Sequence, residues 1–353
     1  MKLFFTLYLI TYSFGVFSDS IFLDVNPKYQ IKLDQDIKSL NGRTFRYDDE
    51  LSNYRGIFRA PGLTSKAKIR IHGDLNSHWR SKRKSYDVKL TGENSYRGMH
   101  NFSLIRAEDK YEQMEVWGQK LAEILELPYR RIFLKELVLN QKNNGKYLVY
   151  EKLVPDMLEH LGLSGAFILS QNNAWKTSVH QKNSLIPNAF MNKELKDLKI
   201  SISSTLYKIR PKQQSSQIIK NVEQFLQNSE SLENLDINGL SSFLSIVAIF
   251  GSYHSVLNDN LRWLYRPWTG KFTPIYYDTI PRKIKLNFPD FLKEISRLSF
   301  LLKEKIEMID KKKLIIQIKN KVRVTNKRLP QIKSDPIVAH NIAHVLNWEF
   351  STN

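Results

Sequence analysis

The sequence predicts an α+β chain in two lobes: a β-rich N-terminal lobe with one helix, and a mainly helical C-terminal lobe that carries one hairpin. Three observations predict it. Over residues 21–150, apolar and polar residues alternate in short runs such as KAKIRIHGD and SYDVKL, and a period of two is that of half-buried strands. Over residues 151–353 the apolar residues recur at helical spacing or fill whole segments, as in LSSFLSIVAIFGSY, which predicts a buried helix. The 353 residues, 42% hydrophobic and 25% charged, suffice for one large domain or two modest ones.

Residues 1–20, MKLFFTLYLITYSFGVFSDS, carry one lysine, then an uncharged and mostly apolar stretch, then small polar residues. That pattern predicts a secretory signal peptide, with an uncleaved N-terminal anchor or a buried first strand as the competing readings. No other uncharged stretch is long enough to span a bilayer, so no integral membrane domain is expected beyond that possible anchor. IFLDV, YQIKL, TFRYDD and YRGIFRAPG then read as short strands and turns. KAKIRIHGD, SYDVKL and FSLI continue them as an antiparallel meander. Tyr111 to Glu126 places Met114, Trp117, Leu121, Ile124 and Leu125 at helical spacing, and Pro128 ends that helix. IFLKELVLN and KYLVYEKL flank the polar turn Gln141–Gly145 as a hairpin. Pro155 opens a helical region.

Gln171 to Ser204 is polar and weakly periodic, which predicts an insertion or mobile loop. Helices resume at Ser216–Gln227 and Leu240–Tyr253. The stretch HSVLNDNLRWLYRPWTGKFTPIYYD, His254 to Asp278, reads as a hairpin with a Pro-Trp-Thr-Gly turn. A basic helical tail runs from about Asp290 to Arg328.

Fifty-four Lys and Arg against 35 Asp and Glu give a net charge of +19, which favours anionic partners. Much of that charge also fits a solubilising surface. No dense basic arm, RNP-like aromatic signature or zinc-finger spacing is present, so no specific nucleic-acid partner is expected. With no cysteine, disulfide frameworks, thiol nucleophiles and thiolate-bound metals are excluded. His340 and His344 are four apart, but Asn341 stands where a zinc-protease motif has Glu. There is no GxSxG elbow.

The remaining candidates fit the small kit that phosphoryl transfer needs: a lysine for nucleotide phosphates, a glutamate on a nearby helix to fix it, and oxygen ligands for Mg. Lys89 falls on the alternating strand SYDVKL, with Val88 and Leu90 toward the core and Asp87 on its own face. Glu115 sits within the apolar stripe of the following helix. Asn260 and Asp278 flank the late hairpin, whose two outer ends can converge on one cation. His254 and Asp259 are near enough to orient or deprotonate an acceptor hydroxyl. Each residue alone also fits a plain role: a solvated lysine, a surface acid, a turn at Asn258–Asn260, a hydrogen-bonded histidine.

RIHGDLNSHWRSKRKSYDVKL resembles the R-x-R-G-(D/N)…K-S-(Y/F)-x-(V/I)-K-L signature of the spore-coat CotH family of kinase-like proteins, in particular its bacterial branch. FSLIRAEDKYEQMEVW, LVLNQKNNGKYLVYEKL and FGSYHSVLNDNLRWLYRPWTGKFTPIYYD continue the similarity in the same order, from Lys68 to Asp278 with a poorly matching middle. The resemblance implies a bilobal, atypical protein-kinase-like fold that binds ATP with Mg and transfers the γ-phosphate to hydroxyls of protein substrates of an envelope or coat. It implies Lys89 and Glu151 as nucleotide-binding residues, Lys89, Glu115, His254 and Asp259 as catalytic, and Asn260 and Asp278 as metal ligands. Two departures stand out. Ser255 occupies the position where ordinary kinase spacing places the catalytic aspartate, and Tyr150-Glu151-Lys152 stands where the branch often has Glu-Glu-His. The missing aspartate, together with the expected export, supports the alternative of a degenerate kinase-fold protein that binds a partner or surface polymer. The expected location is exported: periplasmic, cell-surface or extracellular.

Overall fold

A computed structural model describes residues 20–39, 52–73, 81–110, 113–153, 155–171, 200–202, 225, 232–257 and 260–349. The chain forms two compact units. One takes the chain up to Glu112 together with Arg130–His160; the other takes Gln113–Tyr129 and everything from Leu161. The helix around Glu115, expected in the N-terminal lobe, belongs to the second unit.

The first unit is a barrel of seven strands: β1 (Ser20–Val25), β2 (Tyr54–Ala60), β3 (Leu63–Ile71), β4 (Tyr86–Leu90), β5 (Asn101–Arg106), β6 (Ile132–Leu139) and β7 (Lys142–Glu151). They close in the order β1-β2-β3-β4-β5-β7-β6. This overturns the expected bilobal kinase-like fold, whose N-terminal lobe is an open sheet. The reason is pairing that strand patterns do not reveal. β1 is antiparallel to β2 on one side, with Phe22 opposite Arg59, and parallel to β6 on the other, with Ile21 opposite Leu137. Both edges of the meander are thereby joined, and closure leaves no unpaired edge. Alternate residues fill the interior, among them Ile21, Leu23, Phe58, Ile69, Val88 and Phe102.

YQIKL, expected as a strand, lies in helix α1 (Pro27–Ser39). Asn26 accepts from the Lys28 amide at 3.0 Å, Pro27 is preset for a helix start, and Tyr29, Leu33 and Ile37 meet the barrel core at four-residue spacing. The β6–β7 turn is tighter than expected. Asn140 and Gln141 both have positive φ, 47° and 65°, as two-residue hairpin turns require. The chain leaves the barrel for helix α2 (Gln113–Ile124) of the second unit and ends the first unit with the short helix α3 (Pro155–His160).

The second unit is built on helix α4 (Ile237–Phe250), in which every residue from Gly239 onward is buried. Asp236 caps it by accepting from the Gly239 amide at 2.9 Å. Strands β8 (Phe167–Gln171), β9 (Ile200–Ile202), β10 (Arg262–Arg266) and β11 (Lys271–Ile275) form a sheet in the order β11-β10-β8-β9. The hairpin expected between His254 and Asp278 is β10–β11, with Leu264 opposite Thr273. The basic helical tail is made of three helices, α5 (Phe288–Leu298), α6 (Phe300–Met308) and α7 (Lys311–Arg328), followed by α8 (Pro336–Leu346). Ser299 and Asp310 make the breaks, because each caps the next helix through its side chain.

Residues 1–19, Asp259, most of the expected insertion and all but Phe225 of the expected helix Ser216–Gln227 lie outside the described residues. The ends of that insertion are described: Gln171 closes β8, and Ile200–Ile202 pairs with it as β9. Among the described residues, no helix is long and apolar enough to cross a membrane.

Candidate functional site

The segment after β11 is fixed by side chains from three directions. Glu115, fully buried on α2, takes both ends of one turn. Its Oε1 accepts from the Asp278 amide at 3.1 Å, and its Oε2 accepts from the Thr279 amide. One helical turn further on, Gln119 donates to the Tyr276 carbonyl at 3.1 Å. Ser252 donates to the Asp278 carbonyl at 3.3 Å and accepts from the Ile280 amide at 2.9 Å. The Tyr277 hydroxyl donates to the Asn260 carbonyl. So many ties hold Asp278 at φ +65°, a left-handed conformation that a residue with a Cβ adopts at a cost and that tends to persist only where its surroundings impose it.

Two glycines make the close approach possible. A Cβ on Gly118 of α2 would stand 2.3 Å from the Thr279 hydroxyl oxygen. Gly251 ends α4 at φ +62°, and a Cβ there would stand 1.9 Å from the Arg282 carbonyl oxygen. Gly251→Ala combines a left-handed Cβ with a clash against backbone, so it should destabilise the second unit by about 3 kcal/mol. A urea midpoint within error of the parent's would refute this.

Beyond Gly251 the chain turns through His254–Val256 and brings its imidazole to Asp278, with Nδ1 2.5 Å from Oδ2. The Asn260 amide lies 3.3 Å from the same Nδ1. The aspartate side chain is 12% exposed and the histidine 36%, so the group opens to solvent on the histidine side. Burial pushes the hydroxyl of neighbouring Tyr276 far above its ordinary range, which leaves that tyrosine neutral. Ser255, at the position expected for a catalytic aspartate, is fully buried.

Of the residues singled out in the sequence, Glu115, His254, Asn260 and Asp278 thus come together in the second unit, Asp259 is outside the described residues, and Lys89 and Glu151 belong to the barrel. Lys89 is exposed on the outer wall of the barrel. Cross-strand pairing sets it in a row with Arg55 and Lys68, two more exposed bases. Glu151 lies on the other face of the wall, in register with Phe102 and Val88. It is fully buried, and its carboxylate is held by the Arg131 amide at 2.9 Å, the Arg131 guanidinium at 2.5 Å and His160 Nδ1 at 3.2 Å. Burial pushes its pKa up, but the bonds from His160 and Arg131 outweigh this and hold it below the ordinary glutamate value.

Asp87 shares the Lys89 face yet is buried. His72 Nδ1 (2.8 Å), Lys152 Nζ (2.9 Å) and Ser103 Oγ (2.7 Å) meet its Oδ1, and Arg70 donates to its Oδ2 at 2.9 Å. Lys152, one of the departures from the family pattern, therefore serves as a counter-ion of Asp87.

Sequence reasoning missed the clamps Gln119 and Ser252 and the two glycines. Of the clamping residues, only Glu115 carried a signal, as an acid inside an apolar helical stripe. Among the described residues no three His, Cys, Asp or Glu side chains gather as a metal group. No protein-family model matches the chain, and no curated protein matches it.

Proposed function

We propose that this chain is a phosphotransferase that uses ATP and Mg to phosphorylate hydroxyl groups of a protein acceptor, with its chemistry at Asp278. The reading rests on the site and not on the fold, since function follows the geometry of particular residues. The observation that carries it is the Asp278 carboxylate, held in a left-handed backbone by Glu115 and Ser252 beside an imidazole and an amide.

The donors suit Mg. Asp278 and Asn260 offer hard oxygens, one charged and one neutral, and Mg is commonly held by one or two such protein ligands with water and substrate phosphates completing its shell. When bound there, Mg would neutralise charge on the transferring phosphate. His254, oriented by Asp278, is the group placed to take the proton of the acceptor hydroxyl. Glu115 acts through the backbone as a positioning residue. The loose transition state of phosphoryl transfer asks mainly for positioning and charge neutralisation, which a weak base tolerates.

A second reading, a non-catalytic binding or structural protein of the envelope, is favoured by one observation. His254 already lies 2.5 Å from Asp278 Oδ2, so a cation must share that carboxylate with the imidazole.

Thermal unfolding separates the readings. ATP with Mg at a hundred times its dissociation constant should stabilise the chain by about 2.7 kcal/mol. The effect should require Mg and vanish in Asp278→Asn, a substitution that tolerates the left-handed backbone. Transfer of labelled γ-phosphate to protein should fall roughly 100-fold or more in His254→Ala while nucleotide binding persists. Stabilisation without transfer would leave the second reading. No stabilisation by any nucleotide would end the phosphotransferase reading and leave only the second.

A further inference from the structure

Helix α7 carries more charge of one sign than its own stability favours. Eight of its 18 residues are Lys or Arg and none is acidic. Lys311, Lys312 and Lys313 occupy the first turn, at the positive end of the helix dipole where acids are the stabilising choice. Arg323 and Lys327 repeat a like charge at four-residue spacing, which also destabilises. The cap at Asp310 offsets only the start.

The arrangement is one-sided. Leu314, Ile315, Ile318, Val322 and Thr325 are buried and fix the helix on the core of its unit. Lys313, Ile316, Arg323, Val324 and Lys327 are exposed, and at about 100° per residue they fall on the opposite face. Ile316 is 57% exposed and Val324 39%, so two apolar side chains stand two turns apart with cations between and around them. From Lys313 to Lys327 this stripe runs roughly 21 Å along a rigid helix.

We propose that the outer face of α7 docks on a bilayer surface rich in anionic lipid. A soluble polyanion would answer the cations but not Ile316 and Val324, which it would leave in water. An anionic headgroup layer answers both, because it attracts each nearby Lys or Arg and takes apolar side chains at the acyl boundary. The helix lies on the surface and does not enter it, since its other face is committed to the protein core. This surface is independent of the reading of Asp278.

The test is co-sedimentation of the full chain with phosphatidylcholine vesicles with and without phosphatidylserine. Replacing Lys313, Arg323 and Lys327 together by Gln should weaken binding to the phosphatidylserine vesicles roughly 100-fold, at about a factor of five to six for each lost charge. Far-UV circular dichroism should stay unchanged and Tm should not fall, since the replaced cations disfavour the helix, and any binding to neutral vesicles should stay as in the parent. Ile316→Asn with Val324→Asn should weaken binding while leaving its salt dependence in place. The proposal fails if the triple variant binds phosphatidylserine vesicles as the parent does. It also fails if inorganic polyphosphate is bound with the same sensitivity to these variants while vesicles are not, which would make α7 a site for a soluble polymer.

Discussion

Glu115→Ala should destabilise the second unit by about 4 kcal/mol and disable the site with it. The carboxylate is fully buried and takes two successive backbone amides, those of Asp278 and Thr279. Hydrogen bonds to a charged acceptor contribute about 1.5–3 kcal/mol each, and a buried donor left without a partner costs a similar amount. Two such donors lose their acceptor at once, at a turn already strained by φ +65° at Asp278. Glu115→Gln separates charge from shape. The amide keeps one acceptor oxygen but turns an NH2 group toward the other amide, so it should cost roughly half as much. Urea unfolding followed by fluorescence of Trp117, Trp263 and Trp348, all in this unit, reads the change as a shifted midpoint at constant slope. Hydrogen exchange at the Asp278 and Thr279 amides should speed up in both variants. A cost below about 1 kcal/mol for Glu115→Ala would show that the clamp is not what fixes the turn.

The strands were legible because alternation is a local property. YRGIFRA, KAKIRI, YDVKL and FSLI all lie where their period places them. What the strands join was not legible, because the parallel pairing of β1 with β6 is set by contacts more than a hundred residues apart, and it turns a meander into a barrel. α1 was missed because Tyr29-Gln30-Ile31-Lys32-Leu33 fits a period of two as well as it fits helical spacing. The side chain of Asn26 decided between them by capping the helix. At the site, Asp278, Asn260 and His254 could be named from the flanks of one hairpin, and their meeting follows from hairpin geometry. Glu115 could be named, but not its work. The sequence suggested an ion pair for it, and the fold gives it two backbone amides 163 and 164 residues away. Gln119, Ser252, Gly118 and Gly251 left no trace in the sequence, because a clamp or a close approach exists only once two distant segments meet.

Asp87→Ala should destabilise the barrel by about 3 kcal/mol and flatten its acid limb. The carboxylate is 9% exposed and faces Arg70, Lys152 and His72, whose side chains are 34%, 29% and 24% exposed. Removing one partner of a buried ion pair costs about 3–5 kcal/mol. The cations here can turn partly to solvent, which places the cost at the low end. Burial pushes the Asp87 pKa up, yet His72, Lys152 and Ser103 outweigh burial and hold it well below the ordinary value of 3.8. Glu151, on the other face of the wall, is lowered from 4.5 by His160 and Arg131 against its own burial. A carboxylate whose folded-state pKa is depressed contributes its full stabilisation above its unfolded value and loses it as pH falls through the folded one. The barrel should therefore hold its stability from neutral pH down to the ordinary carboxylate range and lose it progressively below about pH 4. In Asp87→Ala the neutral-pH stability should start lower and the acid decline should shrink, because the contribution of Asp87 is gone and that of Glu151 stays. Urea midpoints measured from neutral pH to about pH 3, followed by amide exchange in β4 and β5, would show both changes. An acid limb as steep in the variant as in the parent would mean that the four partners of Asp87 pack around it without holding its charge.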